Sequence, residues 1–334
     1  MQITNQLSII HHKNYPLDLH HLIMQIHRDI TQLPPFKNAV ITIGTFDGVH
    51  VGHQQIINLL HYEAIAISGE TVVITFHPHP KAVIAGADKN PIYILNTLDE
   101  KIDLLKEYGI HHLVVVPFTD DFAKQTAEEY IKNFLVKNFH PHTIVIGYDH
   151  RFGSLRKGDY HLLEDKAAEN NYRVKEIPEY ILQNVTISST QIRKALLNAD
   201  IDTANKFLGY SYFFSGGIME GNKLGRTIGF PTANLLIEDE QKLIPGNGVY
   251  AVEIELQNVK LSGMMNIGIR PTVNGKSRVI EVNIFNFDKE IYGEVLKVFV
   301  KKNLRSEVKF NGLEELKNQL AKDKNNTLNY FNSI

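Results

Sequence analysis

Cysteine is absent from all 334 residues, which excludes disulfides and thiolate-held metals. A dominant charge is lacking as well. Lys and Arg number 35 against 37 Asp and Glu, a net charge of −2, so nothing in the balance points to nucleic acid or an anionic membrane as main partner. Any bound anion must then be held by local geometry. No uninterrupted apolar run approaches the roughly 18 residues of a membrane helix, and residues 1–30 are too rich in His and Gln for a secretory leader. Low-complexity segments and internal repeats are missing too. These absences leave the expectation of a cytoplasmic globular protein, and at roughly 150 residues per domain the length suggests two.

The first half alternates β-rich runs with amphipathic stretches. Strands are predicted at 40–43, 71–76, 113–116, 143–146 and 173–177, and helices at 54–67, 98–108, 127–139 and 165–171. Strand and helix in turn imply a parallel sheet covered on both faces, with ligands beyond the carboxyl ends of its strands. Near Asn198 the pattern changes. A short helix over 203–208 ends at Gly209, followed by glycine-punctuated β-rich runs at 213–219, 249–256, 260–266, 279–287 and 295–300. These argue for an antiparallel barrel or sandwich. Leu313, Leu316 and Leu320 then space a C-terminal helix. The expected division is 1–198, a connecting segment 199–209, and 210–334.

Directly after the first predicted strand stands Gly44-Thr45-Phe46-Asp47-Gly48-Val49-His50-Val51-Gly52-His53. Its glycines allow a tight turn and close approach of a ligand. His50 and His53, three apart, project from one side of a first helical turn, where free N–H groups and the helix dipole favour an anion. The pattern makes a polyphosphate cradle with two donors for charge at an α-phosphate; the plain alternative is an ordinary helix start with two surface histidines. A second element, Ile187-Ser188-Ser189-Thr190-Gln191-Ile192-Arg193, reads either as a well-capped helix N-terminus or as hydroxyls and amides for β- and γ-phosphates with Arg193 to neutralise them.

A third run, 221–234, places glycines at 221, 225 and 229 and closes with Pro231-Thr232-Ala233-Asn234. It suits a loop folded over phosphates or a plain barrel connection. It is not a P-loop, since Gly-Lys-Ser/Thr is missing. Thr232 and Asn234 offer neutral oxygens that suit Mg²⁺ shared with ATP. In 278–285, Ile280, Val282 and Ile284 share one face and Glu281, Asn283 and Phe285 the other. A carboxylate so placed either accepts a proton from an attacking alcohol or is merely solvated.

With these motifs the chain resembles the bacterial bifunctional riboflavin kinase/FAD synthetase family from about Val40 to Phe331. Thr75-Phe76-His77-Pro78-His79-Pro80, Pro117-Phe118 and 147–153 look like further stretches of its nucleotidyltransferase module, which carries the His-x-Gly-His signature. Residues 266–272, Tyr292-Gly293-Glu294 and Leu304-Arg305-Ser306-Glu307 look like landmarks of its kinase barrel. The resemblance implies a Rossmann-like α/β nucleotidyltransferase domain followed by an antiparallel β-barrel with a C-terminal helix. It implies ATP binding at Gly44, Thr45, Phe46, Asp47, Gly48, His50, Gly52, His53, Ser188, Ser189, Thr190 and Arg193, with FMN near His79, Asp149 and Phe152. In the barrel it implies ATP at Lys223, Gly225, Arg226, Gly229, Pro231 and Thr232, and the metal at Thr232 and Asn234. Glu281 becomes the base acting on the riboflavin 5′-hydroxyl, and Arg305 a contact to riboflavin. Catalysis is thus expected of His50, His53, Arg193 and Glu281, with ATP, riboflavin, FMN and Mg²⁺ as partners and FMN and FAD as substrate or product rather than redox cofactor. The sequence departs from the family at Thr45, often Asn; at His150, usually Phe; and at Asn283, frequently His. His77 and His79 lie between prolines that favour a rigid loop over a metal pair. Retention of one activity alone, or flavin sensing without turnover, are the alternatives; a sensor could lose Glu281 or the histidines, and all are present.

Overall fold

A computed structural model describes residues 23–85, 92–177, 187–221, 224–272 and 275–333. The chain divides into two compact units whose boundaries fall at Ile92/Tyr93, Thr97/Leu98 and Ile187/Ser188, so a five-residue strap, Tyr93–Thr97, belongs with the C-terminal part.

The first unit is built on six parallel strands: β1 (Gln25–His27), β2 (Val40–Ile43), β3 (Thr71–His77), β4 (His112–Pro117), β5 (Thr143–Gly147) and β6 (Arg173–Ile177), in the order β1-β4-β3-β2-β5-β6. Val, Ile and Thr dominate β2 to β5, and all four residues of β2 are buried, as expected of a sheet covered on both faces. Helices α1 (Val51–Ala66), α2 (Leu98–Glu107) and α3 (Tyr160–Asn170) alternate with the strands. On one side a core of Ile41, Ile74, Val114, Ile144 and the aromatic rings of Tyr130, Phe134, Phe139 and Phe152 fills the space beneath the sheet. The stretch predicted as one helix over 127–139 is α-helical at each end but π-helical over Tyr130–Val136, where Tyr130, Ile131, Phe134 and Leu135 are all buried. The three-residue β1 carried no periodicity to betray it; tertiary pairing to β4 makes it a strand.

The second unit holds α4 (Ser189–Leu197), α5 (Ile201–Leu208) and a closed antiparallel barrel of β7 (Phe213–Met219), β8 (Ala233–Leu236), β9 (Gly248–Leu256), β10 (Val259–Thr272), β11 (Gly275–Ile284) and β12 (Val295–Arg305), in the order β10-β11-β8-β7-β12-β9. The strand β8, hidden in sequence inside the glycine motif, closes the barrel between β7 and β11. The strap is held by Ile94, bonded through its backbone to Gln241 and Leu243, and by the buried Lys242, whose Nζ donates to the carbonyls of Leu95 (2.6 Å) and Phe213 (2.9 Å). The C-terminal helix α6 (Leu313–Asn332) forms where the leucines were spaced, yet its buried residues are Asp323 and Thr327. Among the described residues no helix is long and apolar enough to cross a membrane.

All 16 histidines fall in the first unit's sequence; 93–97 and 188–334 contain none. Burial lowers the pKa of His27, His53, His61, His111 and His112 and brings His150 down to about 4. At pH 7 these rings are neutral folded and mostly neutral unfolded. As the pH falls below the unfolded value of 6.5, the unfolded chain takes up protons that the buried rings refuse, so stability drops. For His150 alone the loss by pH 5.5 is about 1 kcal/mol. Hydrogen exchange followed by mass spectrometry, corrected for intrinsic rate, is expected to show easier opening of peptides from 40–147 at pH 5.5 than at pH 7, while barrel peptides from 248–300 stay unchanged. Equal loosening of both would refute this.

Candidate functional sites

In a doubly wound sheet the ligand crevice opens where strand order reverses, here between β2 and β5. The loop 44–50 leaves β2 at that point, and Tyr148-Asp149-His150 leave β5 beside it; His79 follows the neighbouring β3. Three predicted stretches are thereby brought to one edge. Phe152 is instead buried in the core, stacked on Tyr130 with ring centroids 5.1 Å apart.

The loop itself is bent sharply. Phe46 and Val49 take φ of +47° and +34°, and Gly48 +88°. A left-handed Val is costly, on the order of 1–3 kcal/mol, and persists only where surroundings over-determine it. Those surroundings are visible: Phe46, Asp47 and Val49 are buried, and the Thr45 carbonyl accepts hydrogen bonds from Lys101 Nζ (2.7 Å) and Thr75 Oγ1 (3.1 Å). His50 is the N-cap of α1, its Nδ1 accepting from the His53 amide at 3.4 Å, which leaves the proton on Nε2. The His50 and His53 rings stack at 3.7 Å, and Phe46 flanks His53 at 4.9 Å. His53 Nδ1 is enclosed without a hydrogen-bond partner. Burial first, then the nearby His50 and Lys101, hold its pKa well below 6.5. A side chain at Gly52 would press on the His50 ring at 3.2 Å and reach the Ile187 carbonyl at 4.0 Å, so the end of the first unit's chain passes this helix start.

Ser188, Ser189, Thr190 and Arg193 belong to the second unit. Ser188 caps α4 in a reciprocal box, its Oγ accepting from the Gln191 amide while Gln191 Oε1 accepts from the Ser188 amide. Arg193 Nε donates to the Tyr93 carbonyl at 2.6 Å.

In the barrel, the glycine loop and the predicted base converge through strand register. Asn234 on β8 lies directly opposite Glu281 on β11, and Asn266 on β10 opposes Glu281 from the other side. Directly opposed residues have Cβ atoms about 5 Å apart. Arg270 Nη2 donates to Glu281 Oε1 at 3.1 Å and so orients a carboxylate that remains a quarter exposed. Gly229 adopts φ +84°, and at Gly225 a Cβ would stand 2.2 Å from the Phe230 carbonyl, so the turn 225–230 closes only with glycine there. Thr232 is exposed at the loop's end, and Asn283, the departure noted above, is buried and donates from Nδ2 to the Pro231 carbonyl at 2.6 Å. It anchors the loop to the strand that bears Glu281. Arg226 points to Glu290 at 4.0 Å on the surface; Lys223 lies outside the described residues. Arg305 is committed elsewhere: Nε (2.9 Å to Oδ1) and Nη2 (2.7 Å to Oδ2) grip the fully buried Asp323 of α6. Gln319 adds a bond to the same carboxylate. Arg305 therefore fastens the C-terminal helix to β12.

Two polar residues escaped the sequence reading. Arg270 sat in a stretch noted only for resemblance. Lys101 occupies, with Leu98, Ile102 and Leu105, the apolar stripe of α2; a lysine on such a stripe was the available signal.

Comparisons with known proteins agree with this geometry. An FAD synthetase family profile matches residues 34–191 and a riboflavin kinase profile 208–331. The bifunctional riboflavin kinase/FMN adenylyltransferase of Buchnera aphidicola subsp. Schizaphis graminum is 38% identical over 93% of this chain and 100% of its own. That of Bacillus subtilis is 37% identical over 89% and 93%. A crystal structure from Streptococcus pneumoniae, described as a macrolide-efflux protein, superposes with a TM-score of 0.82 at 33% identity, covering 92% of this chain and 99% of that one. With both profiles matched in order and the relatives covered almost end to end, the chain belongs to the bifunctional riboflavin kinase/FMN adenylyltransferase family.

Proposed function

We propose that residues 210–334 phosphorylate riboflavin to FMN, that residues 1–198 adenylylate FMN to FAD, and that 199–209 connect them. The observation that carries the reading is that each half has its own anion cradle beside a chemistry-bearing side chain: His50 and His53 at the start of α1, and Glu281 across from the glycine loop.

In the kinase step Glu281 takes the proton of the riboflavin 5′-hydroxyl as that oxygen bonds to the γ-phosphorus of ATP and ADP leaves. Gly225, Arg226, Gly229 and Pro231 line the phosphates. The neutral oxygens of Thr232 and Asn234 fit a hard cation such as Mg²⁺, and Gly221 leaves room for the Asn234 amide, which a Cβ there would meet at 2.0 Å. When bound, Mg²⁺ would neutralise phosphate charge. In the adenylyl step an FMN phosphate oxygen attacks the α-phosphorus and pyrophosphate departs. The His50 Nε2–H, the His53 ring and the amides opening α1 stabilise the charge that develops. No covalent intermediate is needed, since orientation and charge stabilisation supply the acceleration. His79 and Asp149, at the same sheet edge, face the FMN side. Both reactions consume ATP, which fits a cytoplasmic protein and needs neither nucleic acid nor membrane.

Incubation of the full chain with riboflavin, Mg²⁺ and ATP is expected to yield FMN and then FAD, resolved by chromatography, with release of ADP and pyrophosphate. FMN without FAD would reduce the chain to its kinase half. No product from either riboflavin or FMN would overturn the reading.

A further inference from the structure

We propose that Lys101 is a positioning residue for adenylyl transfer: from behind the loop its ammonium fixes the Thr45 carbonyl and supplies a buried positive charge beside His53. The inference rests on the adenylyl-transfer reading of that site.

The geometry ties three elements at one point. Lys101 rises from α2 and is almost fully buried. Its Nζ donates to the Thr45 carbonyl (2.7 Å) and to Thr75 Oγ1 (3.3 Å), while Thr75 Oγ1 donates to the same carbonyl (3.1 Å). Thr45 lies at the start of the loop and Thr75 within the buried run of β3 that ends at Phe76, so loop, strand and helix are locked together just before the left-handed Phe46, Gly48 and Val49. A lysine buried behind a phosphate cradle is costly to desolvate unless an anion offsets it. Within the protein the groups that face it are Asp47, which favours its charge, and His53, which its charge disfavours. The consequence is a division of states. Lys101 adds to the burial and to the neighbouring His50 that keep His53 neutral in the empty site, and the arriving triphosphate meets a charge that bulk water and salt do not screen. Burial lowers its pKa to about 8, so the charge is present at neutral pH and is lost above that value.

Lys101→Met keeps the length of the side chain and removes the charge and the donors. In the full chain it is expected to lower kcat for FAD formation from FMN and ATP about 100-fold, the scale of loss when reacting groups are displaced by about 1 Å, with riboflavin phosphorylation unchanged. In the wild-type chain, kcat/KM of adenylyl transfer is expected to fall as pH rises through about 8, a limb that Lys101→Met lacks. Should the variant fail to fold its first unit, the wild-type profile decides. A kcat/KM that stays level from pH 7 to about 9.5, or a folded Lys101→Met chain at wild-type rate, overturns the inference alone. A wild-type chain that makes no FAD overturns the site reading and this inference with it.

Discussion

Glu281→Ala is expected to abolish conversion of riboflavin to FMN while FMN and ATP still yield FAD. Loss of a general base costs about 10²- to 10⁴-fold in rate, and the affected residue sits on a barrel strand of the second unit, whereas His50 and His53 sit in the first. Glu281→Gln sharpens the test. The amide oxygen still accepts from Arg270, now at 3.1 Å from Glu281 Oε1, yet the group no longer takes a proton. A Gln variant as slow as Ala identifies proton acceptance as the role. A Gln variant near wild-type rate would reduce Glu281 to a partner for Arg270, and unchanged kinase turnover in the Ala variant would remove the base altogether. Flavin products separated by chromatography read all three cases.

The converse loss is expected from His50→Ala with His53→Ala: FAD formation stops and riboflavin phosphorylation continues. Removal of one preorganised donor at a developing negative charge costs about 10²- to 10³-fold; paired losses are not additive. Part of the effect could be structural, since His50 Nδ1 caps α1, and loss of a cap costs about 1 kcal/mol. Asn is a strong N-cap, so His50→Asn with His53→Ala restores the cap without restoring the imidazoles. Continued absence of FAD from that variant, with native circular dichroism, assigns the loss to chemistry. Persistent FAD synthesis in either variant would dismiss the histidines from the reaction.

Much of the architecture was readable because periodicity and motif coincided. Strands β2 to β6 and helices α1 and α2 follow from apolar spacing, and the glycine-punctuated second half announced a barrel. The misses share a cause. β1 and β8 are three and four residues long, too short for any period to register, and they exist as strands because a neighbour pairs with them. The π-helical turn at Tyr130–Val136 answers to the packing of large rings, which no local propensity encodes. The C-terminal helix was located by its leucines but is anchored by Asp323, a residue that in isolation reads as solvent-facing.

At the sites the same split holds. Local chain chemistry alone determined that two glycine-hinged turns exist, that one of them opens a helix bearing paired histidines, and that Glu281 alternates away from an apolar barrel face, because backbone turns and side-chain direction depend on neighbours in sequence. Tertiary structure decided which distant groups meet them: Lys101 on the Thr45 carbonyl, Arg270 on Glu281, Asn234 opposite Glu281, and Arg305 drawn to Asp323. Those pairings join residues 11 to 56 positions apart, and strand register and helix packing, rather than any short-range preference, choose them.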